Sequence, residues 1–308
     1  MPVRTLPGSW DADALLAAKG DTRVTVVVPA RDEEDTVGDV VAGIRQAWLQ
    51  DVPLVDELIV IDSDSTDRTA AVARAAGATV HAARDVLPGL PPARGKGEAL
   101  WKSLHVSTGD VLAFLDADLI EWGPHFVSGL LGPLLTDPGI ALVKAVYDRP
   151  LLDAAGREAE TGGRVTELVA RPLIALHHPH LAGLVQPLAG EWAVRRSVLE
   201  QFRVPVGYGV EIAALVDTAT AFGASSIAQV DLGRRAHRHH RHDTLGPMAV
   251  QVIAAVEARL DRSAAPRDTA RLTQYDRTGS GFAPHPRHVD LTERPPAVSI
   301  EGYAGASR

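Results

Sequence analysis

A chain of 308 residues, 45% apolar and 23% charged, is long enough for one large α/β domain with a full core. Its net charge of -8 gives no overall attraction to nucleic acid or anionic lipid. The absence of cysteine excludes disulfides, thiolate metal sites and a cysteine nucleophile, and fits a reducing compartment.

Residues 1–20 mix Arg4, Asp11, Asp13 and Lys19 among small apolar residues, without the continuous apolar run of a signal peptide. No stretch has the length of a membrane span, so no stable membrane insertion is expected and the chain is read as cytoplasmic. Val24-Thr25-Val26-Val27-Val28 is short and β-branched, which predicts a buried strand ended by Pro29. Arg31-Asp32-Glu33-Glu34-Asp35 follows, ahead of a helical pattern through Val37, Val40, Val41, Ile44 and Trp48. Acids there either complement a helix macrodipole, which spacing alone favours, or form the mouth of a ligand site. Leu58-Ile59-Val60-Ile61 predicts a second strand, running into Asp62-Ser63-Asp64. A helix capped by Ser65 or Thr66 and closed at Gly77, then a short strand over Ala78-Thr79-Val80-His81, completes a strand–helix alternation. That alternation implies a parallel sheet with right-handed crossovers.

The first strand is not followed by Gly-Xaa-Gly-Xaa-Xaa-Gly, and Arg94-Gly95-Lys96-Gly97-Glu98 lacks the spacing of a Walker loop. Gly95-Lys96-Gly97 instead opens a helix, where flanking glycines allow close backbone approach and the lysine adds charge to the helix N-terminus. A flexible loop with a solvated lysine explains the same residues equally well. The only lysines are Lys19, Lys96, Lys102 and Lys144, which makes one placed between glycines conspicuous.

Val111-Leu112-Ala113-Phe114-Leu115 then reads as a strand buried on both faces, ending in Asp116-Ala117-Asp118. Acids at the carboxyl end of a parallel strand stand where α/β sheets bind ligands. Two such carboxylates need a counter-charge, and a hard divalent cation shared with a substrate phosphate supplies one. A strand followed by a polar turn is the plainer meaning of the motif. A helix over about 124–135 and a strand over 140–147 come next, then a polar loop over 150–161. Gly162-Gly163-Arg164-Val165-Thr166 opens a helical segment, either as a small-anion site or as a glycine turn with a threonine cap. Residues 188–194 read as a strand or strand edge. Glu211 stands at the start of a helix, as a structural or a working acid. Residues 226–232 read as a strand running into Arg235-Ala236-His237-Arg238-His239-His240-Arg241-His242. A solvated basic loop is the commoner meaning of that run, but one histidine reaching a cation held by aspartate makes a plausible mixed nitrogen–oxygen site. A last helix is predicted over 247–260, followed from Ser263 by an extended, proline-rich tail.

Val28-Pro29-Ala30-Arg31-Asp32-Glu33-Glu34, the Asp62-Ser63 strand end and the later Asp-Xaa-Asp resemble GT-A glycosyltransferases that use nucleotide-diphosphate sugars. More narrowly, several stretches resemble the bacterial glucosyl-3-phosphoglycerate synthase family. They are Gly95-Lys96-Gly97-Glu98-Ala99-Leu100-Trp101, Gly163-Arg164-Val165-Thr166-Glu167-Leu168, Gln186-Pro187-Leu188, Gly207-Tyr208-Gly209-Val210-Glu211 and Arg235-Ala236-His237-Arg238. Arg271-Leu272-Thr273-Gln274 and Arg294-Pro295-Pro296 extend the resemblance into the tail.

The resemblance implies a GT-A fold, a Rossmann-like and mostly parallel sheet flanked by helices. It divides the chain into a nucleotide-sugar half (1–150), an acceptor-binding and metal-completing half of the same domain (151–262) and the tail (263–308). It implies a homodimer and a retaining transfer of glucose from UDP-glucose to the 2-hydroxyl of 3-phosphoglycerate, the first step of methylglucose lipopolysaccharide or glucosylglycerate synthesis. Motif by motif, Pro29, Ala30 and Glu33 would hold the uridine end, with Ser63 and Lys96 on the donor nucleotide. Asp116 and Ala117 would line the donor, and Tyr208 and Glu211 would border the glucose. Gly163, Arg164, Val165 and Thr166 would bind the acceptor's acid groups. Arg235, His237 and His239 would close the site, Arg235 on the donor and His239 on the acceptor. Asp118 and His237 would ligate Mg²⁺ or Mn²⁺. Asp118, Glu211 and Arg164 are the expected catalytic residues, with Glu211 the one candidate nucleophile. Two positions depart from the family pattern: Ala117 where serine is common, and His239 where asparagine is expected. A mannosyl-3-phosphoglycerate synthase using GDP-mannose, a polyprenyl-phosphate glycosyltransferase and a non-enzymatic UDP-sugar sensor are the competing readings.

Overall fold

The computed structural model describes residues 2–148, 150–152, 158–161, 163–234, 242–260, 267–278 and 281–305. It opens with β1 (Arg4–Leu6) and α1 (Ala12–Lys19), which the sequence pattern does not announce, and then alternates strands and helices as the sequence predicts: β2 (Val24–Ala30), α2 (Val37–Arg45), β3 (Glu57–Asp62), α3 (Thr69–Ala75), β4 (Thr79–Ala82), α4 (Lys96–Ser103) and β5 (Val111–Phe114). There follow α5 (His125–Thr136), β6 (Leu142–Asp148), β7 (Pro150–Leu152), β8 (Glu158–Thr161), α6 (Arg171–His177), β9 (Trp192–Arg195), α7 (Arg196–Leu199), β10 (Val204–Pro205), α8 (Val210–Phe222) and β11 (Ile227–Arg234). The chain finishes with α9 (His242–Leu260), β12 (Thr269–Thr278), β13 (Gly281–Asp290) and β14 (Glu293–Arg294).

Eight strands form one sheet in the order β1-β11-β6-β9-β5-β2-β3-β4. All neighbours pair in parallel except β9, which runs antiparallel between β5 and β6. The sheet is therefore mixed and mostly parallel. Alternation along β2 explains its two-sided burial. Val24, Val26 and Val28 join the core beneath α1, α2 and α5, while Val27 joins the core beneath α4 and α8. Each such side chain contributes about 1.5–3 kcal/mol when fully removed from water. Pro29 lies inside β2 rather than after it. It pairs only towards β3, at Ile61, because β5 pairs no further than Val27. Proline can occupy a strand where its missing donor faces no partner.

Four expectations about elements are corrected. The segment after β6 is not simply a loop, since Pro150–Leu152 and Glu158–Thr161 pair antiparallel. The strand expected over 188–194 starts only at Trp192, and residues 188–191 form an irregular wall before it. The last helix begins at His242, so Pro247 sits one turn inside it rather than opening it. The tail is not merely extended: β12 and β13 pair over ten positions, Tyr275 opposite Pro284 and Thr273 opposite Pro286. Prolines two residues apart turn their missing donors to the same edge, the outer one, and so leave the ladder intact.

Candidate active site

Every strand that opens onto the site delivers its residue at its carboxyl end. β2 ends at Pro29 and Ala30, β3 is followed by Ser63, and β5 by Asp116, Ala117 and Asp118. These residues line one cleft of about 410 Å³ together with Glu33, Lys96, Gly163, Arg164, Val165, Thr166, Tyr208 and Glu211. Every expected site residue within the described chain is thus brought together. Arg235, His237 and His239 lie outside the described residues.

The acidic run after β2 divides into two jobs. Asp32, at a φ of 56°, accepts the Thr66 backbone N–H at 2.7 Å, and Glu34 accepts the Arg68 backbone and side-chain N–H at 3.2 and 2.9 Å. These two acids tie the loop after β2 to the loop after β3. Arg31 and Glu33 remain on the cleft wall.

Lys96 is the electrostatic centre. Its ammonium donates to Asp116 Oδ1 at 2.5 Å and lies 3.1 Å from Glu211 Oε1, with the Gly190 carbonyl at 3.4 Å. Burial opposes its charge, but Asp116, Glu211 and Glu191 outweigh that cost and hold its pKa above the ordinary lysine value. Lys96 is therefore a fixed cation. The glycines beside it also serve packing, and Gly95 lines the cleft. A Cβ on Gly97 would fall 1.8 Å from the Pro205 carbonyl oxygen. The Glu98 N–H donates to the Val206 carbonyl at 2.9 Å, so that helix-start donor is already used. Gly190 is held as closely, since a Cβ there would lie 2.1 Å from Asp116 Oδ2.

Glu211, in the first turn of α8, is 4% exposed. Across the cleft, Gly163 takes a φ of 102° and its carbonyl accepts the Glu167 N–H at 2.9 Å, which turns the chain into the helical segment bearing Arg164 and Thr166. The cleft therefore has two chemically distinct ends. One is built from strand termini, carboxylates and Lys96; the other carries a guanidinium and a hydroxyl.

Residues 25–154 match the glycosyl transferase family 2 profile. Glucosyl-3-phosphoglycerate synthase of Mycolicibacterium smegmatis is 48% identical over 292 residues, 95% of this chain and 94% of that protein. The crystal structure of glucosyl-3-phosphoglycerate synthase from Mycobacterium tuberculosis with Mn²⁺, UDP-glucose and phosphoglyceric acid superposes with a TM-score of 0.84 at 44% identity. That match covers 97% of this chain and 98% of the other. The same enzyme with Mg²⁺ and UDP gives a TM-score of 0.82 at 44% identity, covering 96% and 97%. The chain belongs to the glucosyl-3-phosphoglycerate synthase family.

Among the described residues of this family member, no three histidine, cysteine or acidic side chains gather as a metal-binding group. Asp118 nevertheless fits a hard divalent cation. Its carboxylate lines the cleft just beyond the carboxyl end of β5, where α/β sheets bind ligands. Mg²⁺-type ions take few protein ligands and complete their shell with water and substrate phosphate. Several cleft residues were not foreseen from sequence. Leu245, Met248 and Val252 line it from α9 at helical spacing, which reads equally as core packing. Arg94 and Leu188 line it too, beside motif residues that carry the stronger chemical signal. No helix among the described residues is long and apolar enough to cross a membrane.

Proposed function

We infer that this protein transfers glucose from UDP-glucose to 3-phosphoglycerate, giving glucosyl-3-phosphoglycerate and UDP. The observation that carries this is the cleft itself, with donor-type strand ends, the Asp116–Lys96–Glu211 cluster and the Gly163–Thr166 segment on one cavity. Near-complete coverage of relatives with that activity supports it.

In this reading Pro29, Ala30, Glu33 and Ser63 bind the uridine end of the donor. Asp116 and Ala117 line its sugar-phosphate, and Lys96 fixes Asp116 and Glu211 around it. Tyr208 and Glu211 border the glucose, with Arg235 on the donor from outside the described residues. Arg164, with the backbone of Gly163 and Val165, the Thr166 hydroxyl and His239, holds the acid groups of the acceptor. A guanidinium can grip carboxylate or phosphate through two N–H bonds, which fixes orientation as well as position. Asp118, with His237, would hold Mg²⁺ or Mn²⁺, which when bound offsets charge on the departing diphosphate.

The transfer retains configuration. The acceptor's 2-hydroxyl oxygen bonds to the anomeric carbon as the bond to the UDP oxygen breaks. The hydroxyl proton passes to the leaving phosphate on the same face. Glu211 is buried and paired with Lys96 at 3.1 Å, an arrangement that suits electrostatic support better than nucleophilic attack. Family resemblance supports a homodimer and a place at the start of methylglucose lipopolysaccharide or glucosylglycerate synthesis. The cytoplasm is the fitting compartment, since both substrates are multiply charged metabolites.

UDP or GDP release measured across a grid of donors and acceptors, with and without chelator, tests this function. Release is expected with UDP-glucose plus 3-phosphoglycerate, and should disappear with chelator. Preference for GDP-mannose, turnover on polyprenyl phosphate alone, or UDP-glucose binding without any release would each overturn it.

A further inference from the structure

Behind the cleft wall lies a polar layer that the donor and acceptor residues do not account for. Lys144 of β6 is 1% exposed, and Glu191, just before β9, is 0% exposed. Lys144 Nζ donates to the Ala189 carbonyl at 2.5 Å and stands 5.7 Å from the centre of the Trp192 ring. The Tyr147 hydroxyl donates to Glu191 Oε2 at 2.5 Å, and the Ala145 N–H to the Glu191 carbonyl at 3.1 Å. Lys96, from the cleft side, reaches the Gly190 carbonyl. Three consecutive residues, Ala189, Gly190 and Glu191, are thus gripped from both sides of the wall. Gly190 in turn presses on Asp116, with no room between them for a methyl group.

This layer is costly. Two ionisable side chains buried beneath a sheet lose hydration, and apolar residues of similar size commonly hold a fold at least as well. Burial pushes the Lys144 pKa down to about 8, against the pull of Glu211, Glu191 and Asp116 and with the repulsion of Lys96. A packing role alone does not call for charge here, whereas a precise wall does: hydrogen bonds to charged groups fix one geometry where apolar contacts tolerate several.

We propose that Lys144, Tyr147 and Glu191 are positioning residues for glucosyl transfer, clamping residues 189–191 against the Lys96–Asp116 pair and so setting where the transferred sugar sits. None of the three is among the residues that line the cleft. The proposal rests on the function inferred above, and the test separates the two.

The test compares Tyr147→Phe, Glu191→Gln and Lys144→Met with the parent by kcat and KM, by calorimetry of UDP binding with Mn²⁺, and by thermal melting. A parent that releases no UDP from UDP-glucose and 3-phosphoglycerate refutes the function itself. With an active parent, Tyr147→Phe is expected to lower kcat by about 10-fold and Lys144→Met by about 100-fold, the cost of an ångström-scale misplacement. UDP affinity should stay within about twofold, because the uridine end is held by the termini of β2 and β3. Tyr147→Phe removes one oxygen atom and decides the matter if Lys144→Met or Glu191→Gln does not fold. A folded Tyr147→Phe with unchanged kcat, or variants whose kcat and UDP affinity fall together in step with melting temperature, would overturn the proposal.

Discussion

At the scale of single residues, the site is a matter of which charge answers which. Asp116 is bound by Lys96 at 2.5 Å. That pairing is invisible in the Asp-Xaa-Asp motif and becomes visible only through Lys96, twenty residues earlier. Asp118→Ala is expected to lower kcat by about 10²–10³-fold, the scale of losing one strong electrostatic contact to the reacting centre. Raising the Mn²⁺ concentration should not restore it. His237→Ala should do much the same, measured as activity against metal concentration. If only the Asp118 change matters, metal binding by His237 is refuted. Glu211 makes the opposite prediction. Glu211→Gln keeps a hydrogen-bonding side chain beside Lys96, so kcat should stay within about tenfold of the parent, whereas loss of a covalent nucleophile costs orders of magnitude more. The motif residues were legible in the sequence because carboxylates, lysine and glycine at strand ends have chemical meaning before any fold is known. Lys144 and Glu191 were not legible as a pair. They meet only because β9 inserts antiparallel beside β6, a pairing that no local pattern announces.

At the scale of elements, α4 shows how far the support of one side chain extends. Its first turn carries Lys96 to the cleft and Glu98 to the interior. Arg294 of β14 grips Glu98 through two bonds of 2.6 and 2.7 Å and stacks over Trp101, whose indole N–H donates to the Pro295 carbonyl. Residues 294–295 therefore anchor the helix that presents Lys96 to the cleft. Arg294→Met should cost about 3 kcal/mol, near the low end for breaking a buried pair because Lys102 stays 3.2 Å from Glu98. Urea unfolding measures that loss, and a variant as stable as the parent would remove the tail from the support of α4. The strand–helix alternation over the first half was legible from hydrophobic period and from punctuation by glycine and proline. The tail was not, because proline-rich composition suggests an extended chain, and a two-stranded ribbon can still accept prolines along its outer edge.

At the scale of the whole molecule, the fold supplies one cleft with two chemically distinct ends. The end proposed for the donor comes from parallel strands early in the chain. The end proposed for the acceptor comes from the segment after Gly163, and α8 and α9 also line the cleft. Fold class and reaction type were legible because the ordered motifs span most of the chain. The proposed positioning wall was not, since Gly190 meets Asp116 through close approach rather than through a recognisable motif. The central claim is a metal-dependent, same-face transfer of glucose between those ends. The most direct measurement is nuclear magnetic resonance of the product formed from UDP-glucose labelled with ¹³C at the anomeric carbon, 3-phosphoglycerate and Mg²⁺. An α-configured glucose on the 2-oxygen of 3-phosphoglycerate is the predicted result; a β-configured product, or label that remains on UDP, would contradict it.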